Sequence, residues 1–193
     1  MNIKNFPRLY PKDILKIVEL ETNTYWPDKR VPVNIELIIE KAKLEIIPEP
    51  LRLQEHFVDA TLVSDFKSII VDSESYNDDR YLNRVRFSLA HEFGHYILHK
   101  DFFIQNKISP DKSKQLLRDN KETLIYSLSD NQYGILEYQA NLFAGFLLVP
   151  ENHLSQAIQD GKNWTELSRI FQVSPQCIEK RIITYYSLHK ENM

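Results

Sequence analysis

Residues His91 to His95 read HEFGH, two histidines four positions apart with a glutamate between them. On a helix each residue advances about 100°, so positions four apart share a face and their imidazoles can reach one ion. Zinc takes imidazole nitrogens at about 2.0–2.1 Å, which such a pair supplies. Glu92 would stand beside the ion, able to accept a proton from a bound water that the metal has acidified. A pattern with three fixed positions also arises by chance, as a solvated surface pair, but the flanks argue against that. Leu89, Phe93, Tyr96 and Ile97 give this helix a buried side. Gly94 costs a helix interior roughly 0.5–1 kcal/mol relative to alanine, which implies a second segment packed close against it.

A catalytic zinc keeps three protein ligands and one open position. No histidine follows at the short spacing of metzincin-type proteases, so a carboxylate on a later helix is expected. Glu137 is the best candidate, a charge set in the apolar stretch ILEYQANLFAGFLLVP. The alternative is a solvated charge near a helix N-terminus, where the dipole favours it. Asn141 lies one turn later on the same face, placed to orient a ligand. Tyr138, Tyr126 and His153 carry donors that could stabilise a tetrahedral oxyanion, and the sequence does not choose among them. His153, a lone polar residue, reads as surface. His99 sits near the face of His91, but about 12 Å of helix separates them, so it reads as structural or surface rather than as a ligand. Arg84 and Arg86 could steer an acidic substrate segment or form structural ion pairs.

The elements that would position these residues follow from periodicity and capping. A helix is expected from Pro11 to Tyr25, with Ile14, Leu15, Ile17, Val18 and Leu20 on one face. Asn34 caps a second helix that IIPEP ends, with Ile35, Leu37, Ile38, Ala42 and Leu44 inward. FVDATLV and SIIVD read as strands at hairpin-like spacing, and ESYNDD as a loop. The motif helix should begin near Tyr81 and continue through His99. Residues Lys100 to Tyr133 read as polar and irregular, with a short helix around Ser113 to Asp119. An apolar helix then runs from Gly134 to Pro150, and a shorter one follows. The tail has the outline of a helix-turn-helix, with a core of Leu167, Ile170, Phe171, Val173, Ile178 and Ile182 and with Ser174 capping its second helix. Gln176, Lys180 and Arg181 on that helix, offset by Glu179, are thin for phosphate neutralisation, so packing or docking is favoured over DNA reading. The fold class is α+β, mostly helical around a small sheet.

The chain has 193 residues, 42% hydrophobic and 26% charged, as expected of an ordinary globular protein. Its 24 Lys+Arg against 27 Asp+Glu leave a net charge of −3, with no global attraction to nucleic acid or anionic lipid. Cys177 is the lone cysteine, which suits a reducing compartment and a small buried side chain. The start of the sequence lacks the apolar stretch of an ordinary secretory signal, and the run from Phe143 to Pro150 is too short to cross a bilayer. These features point to the cytoplasm, with no membrane partner.

RFSLAHEFGHYILH, from Arg86 to His99, followed by EYQANLFAGFLLVP, from Glu137 to Pro150, resembles the ImmA/IrrE metallopeptidase family. VPVNIELIIEKAKLEIIP is similar to that family's opening helix, and the resemblance covers roughly residues 30 to 185. It implies a minimal zincin-like fold holding one zinc per chain through His91, His95 and Glu137, with Glu92 as catalytic acid/base. It also implies a protein substrate, a helix-turn-helix transcriptional repressor of a phage, mobile element or stress regulon. The Lys100 to Tyr133 segment looks longer than the family's usual spacer, as a lid or exosite would be. The expected division is a peptidase domain over 1–160 and a helical extension over 161–193 packed on it. The rival reading is a non-proteolytic regulator that binds DNA or a repressor through its C-terminal helices.

Overall fold

The computed structural model describes residues 5–26, 28–51, 59–110 and 128–190. Tyr126, the expected short helix around Ser113 to Asp119, and the first two residues of FVDATLV lie outside them.

Helix α1 covers Pro11–Tyr25. Pro11 presets its first turn, and the Asp13 carboxylate accepts from the Tyr10 N–H at 3.0 Å. Its buried face is Ile14, Val18 and Thr22, whereas Leu20, expected inward, is exposed. Helix α2 is Ile35–Lys41, and the Asn34 side chain accepts from the Leu37 N–H at 3.0 Å, as its capping role requires.

IIPEP does not simply end that helix. Lys43 takes a left-handed conformation, φ 62°, and turns the chain into strand β1, Glu45–Glu49. The β-branched Ile46 and Ile47 suit an extended backbone. Pro48, which lacks an N–H, is tolerated because β1 lies at a sheet edge. Strands β2, Ala60–Leu62, and β3, Ser68–Asp72, form the expected antiparallel pair, and β1 joins β3 on the other side in parallel. The order is β1-β3-β2.

ESYNDD is not a plain loop. Asp72 caps a one-turn helix α3, Ser73–Tyr76, and a 3-10 turn at Asp79–Tyr81 leads directly into helix α4, Leu82–Asn106. Helix α4 passes beyond the expected end at His99 because Phe102 and Phe103 extend its buried face. It stops where Lys107 turns left-handed. Helix α5, Asp130–Leu148, begins earlier than expected because Ser129 and Gln132 form a reciprocal capping box. Helices α6, Glu151–Gln159, α7, Trp164–Phe171, and α8, Pro175–His189, complete the described chain, and Ser174 caps α8. Among the described residues no helix is long and apolar enough to cross a membrane.

One core joins these elements. Phe93, Phe143, Phe146 and Phe171 are fully buried in it, and Leu167, Val173 and Ile178 bring α7 and α8 into the same cluster. Ile170 and Ile182 pack at its margin. Arg86 turns inward rather than toward a substrate: its guanidinium donates to the carbonyls of Val33, at 2.8 Å, and Gln172, at 3.2 Å. It therefore ties three distant segments together. Arg181 similarly donates to the Val149 carbonyl at 3.0 Å and pairs with Glu151, fastening α8 to the end of α5.

Helices α4 and α5 come close together at Gly94. A Cβ there would lie 3.1–3.2 Å from the Phe143 side chain, tighter than ordinary van der Waals contact. Gly94→Ala would gain about 1 kcal/mol in helix propensity, but overpacking a buried aromatic costs about 1–3 kcal/mol. The expected outcome is a net loss of stability of roughly 1 kcal/mol, read as a lower urea midpoint with an unchanged slope. A raised midpoint would mean that Phe143 gives way freely.

Candidate metal centre

Helix α4 presents His91, Glu92 and His95 to the interior, with exposures of 7%, 2% and 4%. Helix α5 runs antiparallel across it, so that its Gln139 meets His99 while its Asn141 meets His91. Glu137, on the same helix, reaches the histidine pair. Its carboxylate oxygens lie 3.4 Å from His91 Nε2 and 3.1 Å from His95 Nε2, and the two Nε2 atoms are 3.1 Å apart. Sequence positions far apart in the chain thus converge on one point.

The donor set fits a small divalent cation. His91 Nδ1 lies 3.0 Å from the Asn141 side-chain oxygen, an acceptor, so Nδ1 carries the proton and a neutral ring offers a bare lone pair at Nε2. Two Nε2 atoms at 3.1 Å cannot both carry a proton. Two lone pairs and a carboxylate facing one another repel unless positive charge lies among them. Bonds of about 2.0–2.1 Å in a tetrahedral zinc site separate neighbouring ligand atoms by roughly 3.3 Å, which matches the 3.1–3.4 Å spacing found here. Burial also lowers the pKa of His95, favouring the neutral imidazole that metal binding needs.

Glu92 is fixed by the sheet. Val63 N–H donates to the Ser68 carbonyl and Asp72 N–H to the Asp59 carbonyl, so the odd-numbered residues of β2 face β3. Leu62 N–H therefore points off the sheet edge, where Glu92 Oε2 accepts it at 2.9 Å. No sequence pattern announces this bond, because it depends on strand register.

The remaining candidates fall in different places. Asn141 contacts His91, as its spacing from Glu137 suggested. Tyr138 is 55% exposed on the following position of α5. His153 is half-buried and packs against Trp26, with ring centroids 5.9 Å apart. It lines a cavity whose walls include none of His91, His95 and Glu137. His99 is completely buried, not at the surface, and burial holds its pKa down to about 3. Arg84 pairs with Asp59 at 2.8 Å and donates to the Ser75 hydroxyl at 3.1 Å. A groove of about 810 Å³ opens beside the centre, between the start of α4, the middle of α5 and the exposed side of α8. Asn141 and Tyr138 form part of its wall, with Phe87, Leu142 and Ile183 supplying apolar surface and Lys180 a cation.

Residues 75–182, more than half of the chain, match the Peptidase_M78 family, described as the IrrE N-terminal-like domain. The chain belongs to that family. The matched span takes in α4, α5 and all four residues at the centre. Among solved structures, a Mycobacterium tuberculosis transcriptional regulator shares the fold, with a TM-score of 0.53 at 15% identity. The alignment covers 86% of this chain and 44% of that one, so the chain spans less than half the length of that protein. No curated protein matches the sequence. Family membership agrees with the resemblance carried by the HEFGH helix and the Glu137 helix, and the shared architecture agrees with the α+β expectation.

If Glu137 is the third donor, Glu137→Ala lowers zinc affinity at least roughly tenfold, measured by competition with a chelator. Affinity equal to wild type would place the third donor elsewhere.

Proposed function

We propose that the chain is a zinc-dependent endopeptidase of the cytoplasm, with one zinc per chain and a protein substrate. The observation that carries this reading is the convergence of His91, His95 and Glu137 beside Glu92, within a peptidase family. The proposed substrate is a helix-turn-helix transcriptional repressor of a phage, mobile element or stress regulon. The family resemblance supports this, as does a fold shared with a protein named as a transcriptional regulator. The lone cysteine supports a reducing compartment.

In this mechanism His91, His95 and Glu137 hold the metal, and Asn141 orients the His91 ring. Zinc, when bound, supplies Lewis acidity toward a water and the scissile carbonyl. Glu92 accepts the proton of the attacking water and passes it to the leaving amine, while Leu62 N–H keeps its carboxylate in place. Tyr138 and Tyr126 stay as proposed oxyanion donors, and His153, turned toward Trp26, is the weaker one. The groove beside Asn141 gives a protein substrate a surface next to the reacting centre. Gln176 and Lys180, which a DNA-reading helix would turn to bases and phosphates, line that groove, which supports docking over DNA binding. Residues 161–193 are read as an extension packed on the peptidase domain.

Glu92→Gln separates catalysis from binding. The variant is expected to bind zinc like wild type, while new protein N-termini seen in cells expressing the wild type disappear. The same cleavage products from both proteins would refute the catalytic role. An unchanged regulatory effect with no cleavage in either would favour the non-proteolytic regulator.

A further inference from the structure

His99 is fully buried and takes no direct part in the donor set. Its Nδ1 lies 3.0 Å from His95 Nδ1, and its Nε2 lies 2.9 Å from the Gln139 side-chain oxygen. Gln139, 1% exposed, turns its amide nitrogen to the backbone carbonyls of Pro7, at 3.1 Å, and Leu9, at 3.4 Å. We infer that Gln139 and His99 are positioning residues that hold His95 in the tautomer a metal requires, and that the carbonyls of Pro7 and Leu9 set the direction of this chain of hydrogen bonds. The inference rests on the reading of His95 as a ligand.

The direction follows from what each group can do. Carbonyl oxygens only accept, so the Gln139 NH₂ must face Pro7 and Leu9, and its oxygen must face His99. That oxygen is an acceptor, so His99 carries its proton on Nε2. A neutral His99 then has a bare Nδ1, which can only accept. His95 must therefore donate from Nδ1, which leaves His95 Nε2 as the lone pair that points at His91 and Glu137. With both rings uncharged, every orientation follows from the two backbone carbonyls. Reversing any one bond would put a proton on His95 Nε2, where a metal has to bind.

The same chain explains why α4 continues past the motif. Its added turns carry Phe102, whose ring packs edge-on against Phe6 at 5.5 Å, and Gln105, whose side chain accepts from Asn5 at 3.2 Å. These contacts lay the segment from Asn5 to Tyr10 along α4 and bring the Pro7 and Leu9 carbonyls to Gln139. His91 has a simpler device, a single amide on α5. The two histidines are thus oriented through different amides of α5, Asn141 acting directly and Gln139 through His99 with the support of the Pro7 and Leu9 carbonyls.

The test reads the histidine tautomers by long-range nitrogen–proton NMR, with and without zinc, alongside zinc affinity in competition with a chelator. In wild-type protein His99 is expected to carry its proton on Nε2, and His95 to carry one on Nδ1, in both states. Gln139→Leu removes the acceptor and the link to Pro7 and Leu9. It is expected to lose that pattern and to weaken zinc binding roughly tenfold to a hundredfold while the far-UV spectrum is kept. His99→Asn, which retains an acceptor near the Nδ1 position, should bind zinc more tightly than His99→Leu. A wild-type His99 protonated on Nδ1, or a Gln139→Leu protein with wild-type tautomers and affinity, would overturn the inference while leaving the metal site intact. Wild-type protein that takes up no zinc would instead remove the metal reading, and the positioning role with it. The wild-type tautomers need no variant to fold, so they decide the question even if Gln139→Leu does not.

Discussion

Helices α4 and α5 cross at a glycine, and the geometry of the centre depends on how near that lets them come. Gly94 brings its backbone against the Phe143 side chain, at a distance that a methyl group would crowd. This approach carries Glu137 to within 3.1–3.4 Å of two imidazoles on the other helix. A few tenths of an ångström matter, because the donor atoms already sit near the spacing of a four-coordinate zinc. Buried aromatic packing of Phe93 on Phe143, with centroids 5.9 Å apart, keeps the interface from sliding. The cost of a glycine within a helix is met by the function of the contact it allows.

Concentrating polar groups in such an interior is unfavourable unless each finds a partner. Here the partners come from separate parts of the fold. The sheet edge supplies Leu62 N–H to Glu92, α5 supplies Asn141 to His91, and the segment before α1 supplies two carbonyls that act on His95 through Gln139 and His99. The small sheet, easily overlooked in a mostly helical protein, thereby has a direct part in holding the Glu92 carboxylate. Arg86 and Arg181 serve the scaffold in the same manner, each joining segments that are remote in sequence.

Local rules made part of this legible from sequence. Helical spacing marked His91, His95 and the Glu137–Asn141 pair, because residues four apart share a face whatever the tertiary fold. Capping chemistry placed the starts of α2 and α8 through Asn34 and Ser174. The missed features are those that depend on partners far along the chain. IIPEP becomes a strand only because β3 is there to pair with it. Glu92 meets Leu62 only in one strand register, and Gln139 meets Pro7 across 132 positions. Its signal was present but faint, an amide on the buried side of an apolar helix. Arg86 read equally as a steering charge or a structural one, and only the fold shows it buried on two carbonyls.

The central claim is that these helices converge to bind one metal ion. Elemental analysis of purified protein, wild type beside His95→Ala, tests it most directly. The account predicts roughly one zinc per wild-type chain and little in the variant, since two remaining donors make a weak site. Wild-type protein that stays empty when zinc is supplied, or a His95→Ala protein that keeps its full complement, would contradict it.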